Sequence, residues 1–116
     1  MKHAGWIDRA RRGQLCVIHT RHVDSYQRGP NQVREEFTAG TVEGVDADGV
    51  ITRYRTIDGH VKILKNVPGV VMKFTLTAVE PNRKAALAAL KSRGSCTFFT
   101  IEEAQNFFKP FKAAAA

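Results

Sequence analysis

Three groups of residues in this chain have the types and spacing for chemistry. The first is Cys16-x-x-His19-x-x-His22, which offers metal-ligand residue types at short intervals. In an extended strand, Cys16 and His22 face one way and His19 the other. Zinc needs four convergent ligands, or three and a water, and no CxxC or HxxxH partner follows. A site here would require a break at Arg21 and Cys96 as a further ligand, so no metal is expected. Nucleophilic and acid–base chemistry fare no better. There is no GxSxG, no phosphate-cradling glycine loop and no HExxH, and the adjacent Glu35 and Glu36 point to opposite faces of a strand. The expectation is a protein that is not an enzyme and needs no cofactor.

The second group is Thr52-Arg53-Tyr54-Arg55. Arg53 and Arg55 share one strand face, two guanidinium forks about 7 Å apart, near the spacing of successive phosphates. Tyr54 projects from the other face, where it reads as core, and Lys62 on the neighbouring strand is expected to extend the basic row. The third group is spread over the first 34 residues. Arg9, Arg11 and Arg12, with Lys2 and Trp6, form a basic arm of the kind that runs along a nucleic-acid backbone; Trp6 itself reads more readily as a packing anchor. Further on, Arg21, His22, Tyr26, Arg28 and Arg34 lie in a stretch of loop character, with Tyr26-Gln27-Arg28-Gly29 combining a stacking ring and a phosphate-capable fork.

Charge supports a polyanionic partner. The net charge is +7, and it is unevenly placed: +5 over residues 1–34, −2 over 35–80 and +4 over 81–116. A turn-rich, slightly acidic centre flanked by basic ends is a pattern that attracts nucleic acid. No apolar run approaches the roughly 20 residues that span a bilayer. No apolar h-region follows Lys2, so a cytoplasmic setting is the default and a membrane is not expected. The two cysteines, Cys16 and Cys96, are too sparse for a disulfide framework and read as reduced small hydrophobes.

The elements that must position these residues follow from turn signals. Asp46-Ala47-Asp48-Gly49, Asp58-Gly59 and Asn66-Val67-Pro68-Gly69 punctuate short runs of Val, Ile, Thr and Tyr. Strands are expected over 14–20, 35–45, 50–57, 60–64 and 70–78, with a loop over 21–34. Gly40 and Gly44 inside the second strand predict a bulge or sharp coil. A helix is expected from Arg83 to Lys91, stopped by Gly94. Thr100-Ile101-Glu102-Glu103 is a capping box for a second short helix ended by Pro110.

The expected architecture is therefore mainly β, a single domain over 1–116 with a basic arm (1–13), a small five-stranded barrel (14–78) and a C-terminal helical segment (79–112). The strand order resembles that of the SH3-like barrel shared by SH3, Tudor and KOW modules and CarD-type polymerase-interaction domains. That resemblance covers residues 14–78 and is one of connectivity, without a diagnostic motif. It implies that the 21–34 loop flanks a ligand groove. An OB-like barrel would use longer strands and a helix between the third and fourth, and none is visible.

Two functions are consistent with this reading. One is a small nucleic-acid binder that holds DNA or RNA mainly through phosphates, using Arg9, Arg11, Arg12, Arg28, Arg53, Arg55 and Lys62 with Tyr26 stacking. The other is a module that docks onto a cytosolic protein assembly through the 21–34 loop and the C-terminal helices, where Phe98, Phe99, Phe107, Phe108 and Phe111 exceed what two short helices need.

Overall fold

The computed structural model describes residues 9–24, 32–65, 67 and 69–113. Within them the short β-prone runs build an antiparallel sheet of six strands: β1 (Leu15–Asp24), β2 (Gln32–Val45), β3 (Ile51–Arg55), β4 (Val61–Ile63), β5 (Val70–Thr75) and the two-residue β6 (Thr97–Phe98). The order is β4-β3-β2-β1-β5, with β6 paired to β2. The sheet is not closed: β4 and β5 stand at opposite ends of the order. Two helices follow, α1 (Arg83–Arg93) and α2 (Ile101–Phe108), so the fold is mainly β with a helical C-terminal segment.

Alternation along β1 explains why it is central. Leu15 and Val17 face one side and Cys16 and Ile18 the other, and all four are buried. The first side carries the larger core, where Leu15, Val17, Phe37, Ala39 and Phe74 meet Leu90 of α1 and Ala104 and Phe108 of α2. The second is smaller: Cys16, Ile18, Val42, Ile51, Tyr54 and Leu64, with Ala10 from the N-terminal segment. Burial of each large apolar side chain contributes about 1.5–3 kcal/mol, so the helix-covered side dominates stability.

The coil of β2 wraps β3 over this second core. At Gly40 a Cβ would lie 2.5 Å from the Arg55 carbonyl oxygen and 2.8 Å from the Tyr54 ring, so only glycine admits so close an approach. The β2–β3 register then shifts on either side of Gly44, the bulge that the in-strand glycines predict.

Two expectations are corrected. The 21–34 segment is not all loop: β1 continues to Asp24 and β2 starts at Gln32. Cross-strand contacts hold this extension together, with His19 Nε2 3.3 Å from Glu35 and His22 Nε2 3.6 Å from Glu36. Val23 pairs with Val33 near its tip. Such pairings depend on register and carry no local strand signal. The phenylalanines, in turn, do not form a surface patch. Phe98 and Phe108 are buried, Phe107 and Phe111 pack beside them with neighbouring ring centroids 5.1–6.0 Å apart, and of the five only Phe99 is exposed.

Both helix ends behave as the sequence predicts. Gly94 adopts φ +79° and its N–H reaches the carbonyls of Leu90 and Lys91, while the Thr100 hydroxyl accepts the Glu103 N–H at 3.1 Å. Among the described residues, no helix is long and apolar enough to cross a membrane.

Candidate nucleic-acid interface

The basic residues are positioned by a short strap, residues 9–14, whose Ala10 packs into the second core and whose Gly13 lies within reach of α1. Ala10 N–H donates to the Gly49 carbonyl at 2.8 Å, Gly13 N–H to Val42 at 2.8 Å, and Val42 N–H returns a bond to Gln14 at 2.8 Å. The Thr75 hydroxyl donates to the Arg9 carbonyl at 3.2 Å. Ala10 is buried beneath the strap. The described part of the expected arm, from Arg9 onward, is thus docked onto β2, the β2–β3 turn and β5, with Arg9, Arg11 and Arg12 left exposed; Lys2 and Trp6 lie outside the described residues.

Docking the strap at Val42 sets Arg12 beside the β2–β3 ribbon, where the Glu43 carboxylate pairs with Arg55 and lies within the electrostatic reach of Arg12 and Arg53. Arg55 donates from Nε to Glu43, and its Nη1 reaches the Gly59 carbonyl at 2.9 Å. The Arg53 side chain passes over Gly44, where a Cβ would lie 2.9 Å from its Nε. The Glu43 carboxyl is held below the usual carboxylate range, first by the Arg55 hydrogen bond and then, against some desolvation, by the charges of Arg55, Arg12 and Arg53. Among the described residues only Arg55 closes an ion pair with Glu43. The cluster therefore keeps two positive charges in excess, on the exposed Arg12 and Arg53.

Lys62 does not extend this row. Register places it across from Tyr54, while Arg53 and Arg55 sit across from Ile63 and Val61. Directly paired residues share a face, so Lys62 lies on the Tyr54 side. Tyr54 itself is core, as the sequence predicts, and burial pushes its hydroxyl up to about 12. Tyr26 and Arg28 lie outside the described residues.

Beside the arginine cluster, the unpaired ends of the sheet leave two depressions, of about 480 Å³ and 520 Å³. They share Val50 and Lys73 in their walls. Arg9 stands at one end, and Arg53 and Lys65 at the other. Sequence reasoning missed Lys65, Lys73 and Glu43. For Lys73 a signal existed: it interrupts the apolar run of β5, and it pairs with Ile18, whose side chain faces the second core. Glu43 was not legible, because its three partners come from three separate segments.

The remaining basic residues are differently occupied. Arg83 bonds the Gly13 carbonyl and lies 3.5 Å from Glu80, which itself accepts the Leu15 N–H at 2.8 Å. Arg93 lies 4.2 Å above the Phe98 ring and donates to the carbonyls of Ser95 and Thr97. Arg83 thus ties the start of α1 to the strap, and Arg93 ties its end to β6.

The Cys16, His19 and His22 side chains do not converge. Cys16 is in the second core, where desolvation pushes its thiol up to about 12 against one hydrogen bond at Gly40. His19 stacks on Phe37 at 4.2 Å and pairs with Glu35, and His22 pairs with Glu36. Among the described residues, no group of three or more His, Cys, Asp or Glu is placed to hold a metal. Against known proteins, the chain matches no family model, no curated protein and no solved structure.

Proposed function

We propose that this chain binds DNA or RNA mainly through phosphates, using the face formed by the strap, β2 and β3. The observation that carries the reading is the gathering of Arg12, Arg53 and Arg55 around the single carboxylate of Glu43. One guanidinium is neutralised and positioned; two remain free to take phosphate oxygens through bidentate forks. Arg9 and Arg11, exposed on the same strap, extend the positive surface. We read the sheet as an SH3-like barrel left open between its first-to-last neighbours, β4 and β5, consistent with its strand order. In this reading the protein is a cytoplasmic binding module rather than an enzyme, and the buried thiol of Cys16 is packing.

The alternative, a protein-docking module using the Phe-rich tail, has less support, because four of the five phenylalanines there pack into or against the core. The test is fluorescence-anisotropy titration of labelled single-stranded DNA, duplex DNA and RNA at low and moderate salt. Phosphate binding requires affinity that falls steeply with salt. No binding to any of the three at low salt would overturn the proposal.

A further inference from the structure

We infer that the seam between β4 and β5 is a groove for a single strand of nucleic acid, in preference to a duplex. This rests on the nucleic-acid reading above and assigns its ligand class. The two depressions along the seam are neighbours that share Val50 and Lys73 in their walls, so an extended chain can run from one to the next. Four cations border it: Arg9, Arg53, Lys65 and Lys73. None of the four closes an ion pair with a described carboxylate. Two aspartates also border it, Asp48 and Asp46, the latter accepting the N–H groups of Asp48 and Val50 at 2.8 Å and 3.0 Å, so the four cations outnumber the carboxylates there. Charge complementarity therefore selects an anionic occupant.

The apolar side chains on the path choose between the two forms of that occupant. Val50 is 38% exposed, Val71 56% and Ile63 64%, an aliphatic strip between rows of cations. A single strand can lay sugars and bases on such a strip while its phosphates meet the rims. A duplex presents phosphates outward and keeps its bases stacked inside, so it would reach the rims and leave the strip uncovered. The edge of β4 adds polar groups. Leu64 N–H bonds the Thr52 carbonyl at 2.9 Å and Thr56 N–H bonds the His60 carbonyl at 2.8 Å. By the alternation of an antiparallel ladder, the N–H and C=O groups of Val61 and Ile63 then point away from β3, where they can bond unpaired base edges. Among the described residues no aromatic ring lines the two depressions, so discrimination among bases by stacking from them is expected to be small.

The experiment uses the full chain and fluorescence anisotropy with an oligonucleotide roughly 12 nucleotides long, single-stranded or annealed to its complement. Poly-L-glutamate serves as a competitor, and Lys65→Ala/Lys73→Ala and Lys65→Arg/Lys73→Arg serve as variants. The inference predicts about tenfold tighter binding of the single strand, restored in the Arg variant and lost in the Ala variant. The salt slope of the Ala variant should fall by about 1.4, for two contacts on a single strand. Thermal melts of both variants should match the parent, since both lysines border solvent. Equal or tighter duplex binding, unmoved by the Ala variant, would overturn the seam assignment and leave the arginine-face reading intact. Displacement of the single strand by poly-L-glutamate at comparable charge concentration would overturn it in favour of an acidic protein segment. No binding of either nucleic acid would instead remove the broader reading on which it rests.

Discussion

The helix-covered core and the strap-and-seam region solve different problems with the same strands. The face covered by α1 and α2 buries Phe37, Phe74, Phe98 and Phe108 almost completely, and its arginines, Arg83 and Arg93, are tied to carbonyls, a carboxylate and a ring. Elsewhere one Tyr and aliphatic residues form a smaller core, bordered by a strap and a seam whose cations close no ion pair with a described carboxylate. A sheet that stays unclosed would be a liability if both regions had to supply stability. Here the helices take that role, so the strap, the β2–β3 ribbon and the seam can keep an open edge and excess positive charge. Stability and binding are thereby separable, and four changes test the separation.

The largest effect is expected from Phe108→Ala, which removes a fully buried ring between α2 and the sheet. It should cost about 3–5 kcal/mol in denaturant unfolding. Folded Phe108→Ala protein should keep the parent's salt slope for nucleic acid. A changed slope would mean that the helix face takes part in binding.

Gly40→Ala breaks the separation deliberately. Its Cβ would press on the Arg55 carbonyl and the Tyr54 ring, which can be relieved only by moving β3. Overpacking of this kind costs about 1–3 kcal/mol. Because β3 carries Arg53 and Arg55, binding should weaken along with stability, unlike in Phe108→Ala.

Arg12→Ala/Arg53→Ala is the converse. Both side chains are exposed, so the melting curve should stay within about 0.5 kcal/mol of the parent. The salt slope should drop by about two units on duplex DNA, one per lost phosphate contact.

The smallest effect is a gain. Glu43→Gln removes the only carboxylate among the three arginines and should tighten binding a few-fold, read from the same titration. The pH dependence has the matching sign. Because the carboxyl is depressed in the folded protein, the stability its pairing contributes is complete above the ordinary Glu range. It is lost as pH falls through the depressed value. Nucleic-acid affinity should rise over that same acid interval in the parent and stay flat in Glu43→Gln.

What was legible in the sequence is what short-range chemistry decides. The Thr100 cap, the Gly94 stop and the bulge near Gly44 follow from residue types a few positions apart. The antiparallel order followed from the turn ladder, but closure did not, because whether β4 meets β5 depends on how far β2 coils. Register was equally hidden: alternation placed Arg53 and Arg55 together, yet only the β3–β4 pairing shows that Lys62 stands across from Tyr54. The extension of β1 and β2 beyond the main sheet depends on His19–Glu35 and His22–Glu36 contacts 16 and 14 positions apart in sequence, which no local window contains. The candidate site was half visible for the same reason. Its arginines stand out by type, whereas Glu43 gains its role only when the strap docks beside it.

The most direct test of this separation is a backbone amide NMR titration with a short oligonucleotide. The account predicts shifts at the Arg9–Gln14 strap, at Glu43 and Gly44, along Ile51–Arg55 and at Lys65 and Lys73, with α1 and α2 unmoved. Shifts concentrated instead on Lys84, Lys91 and Lys109 of the helical side would contradict it.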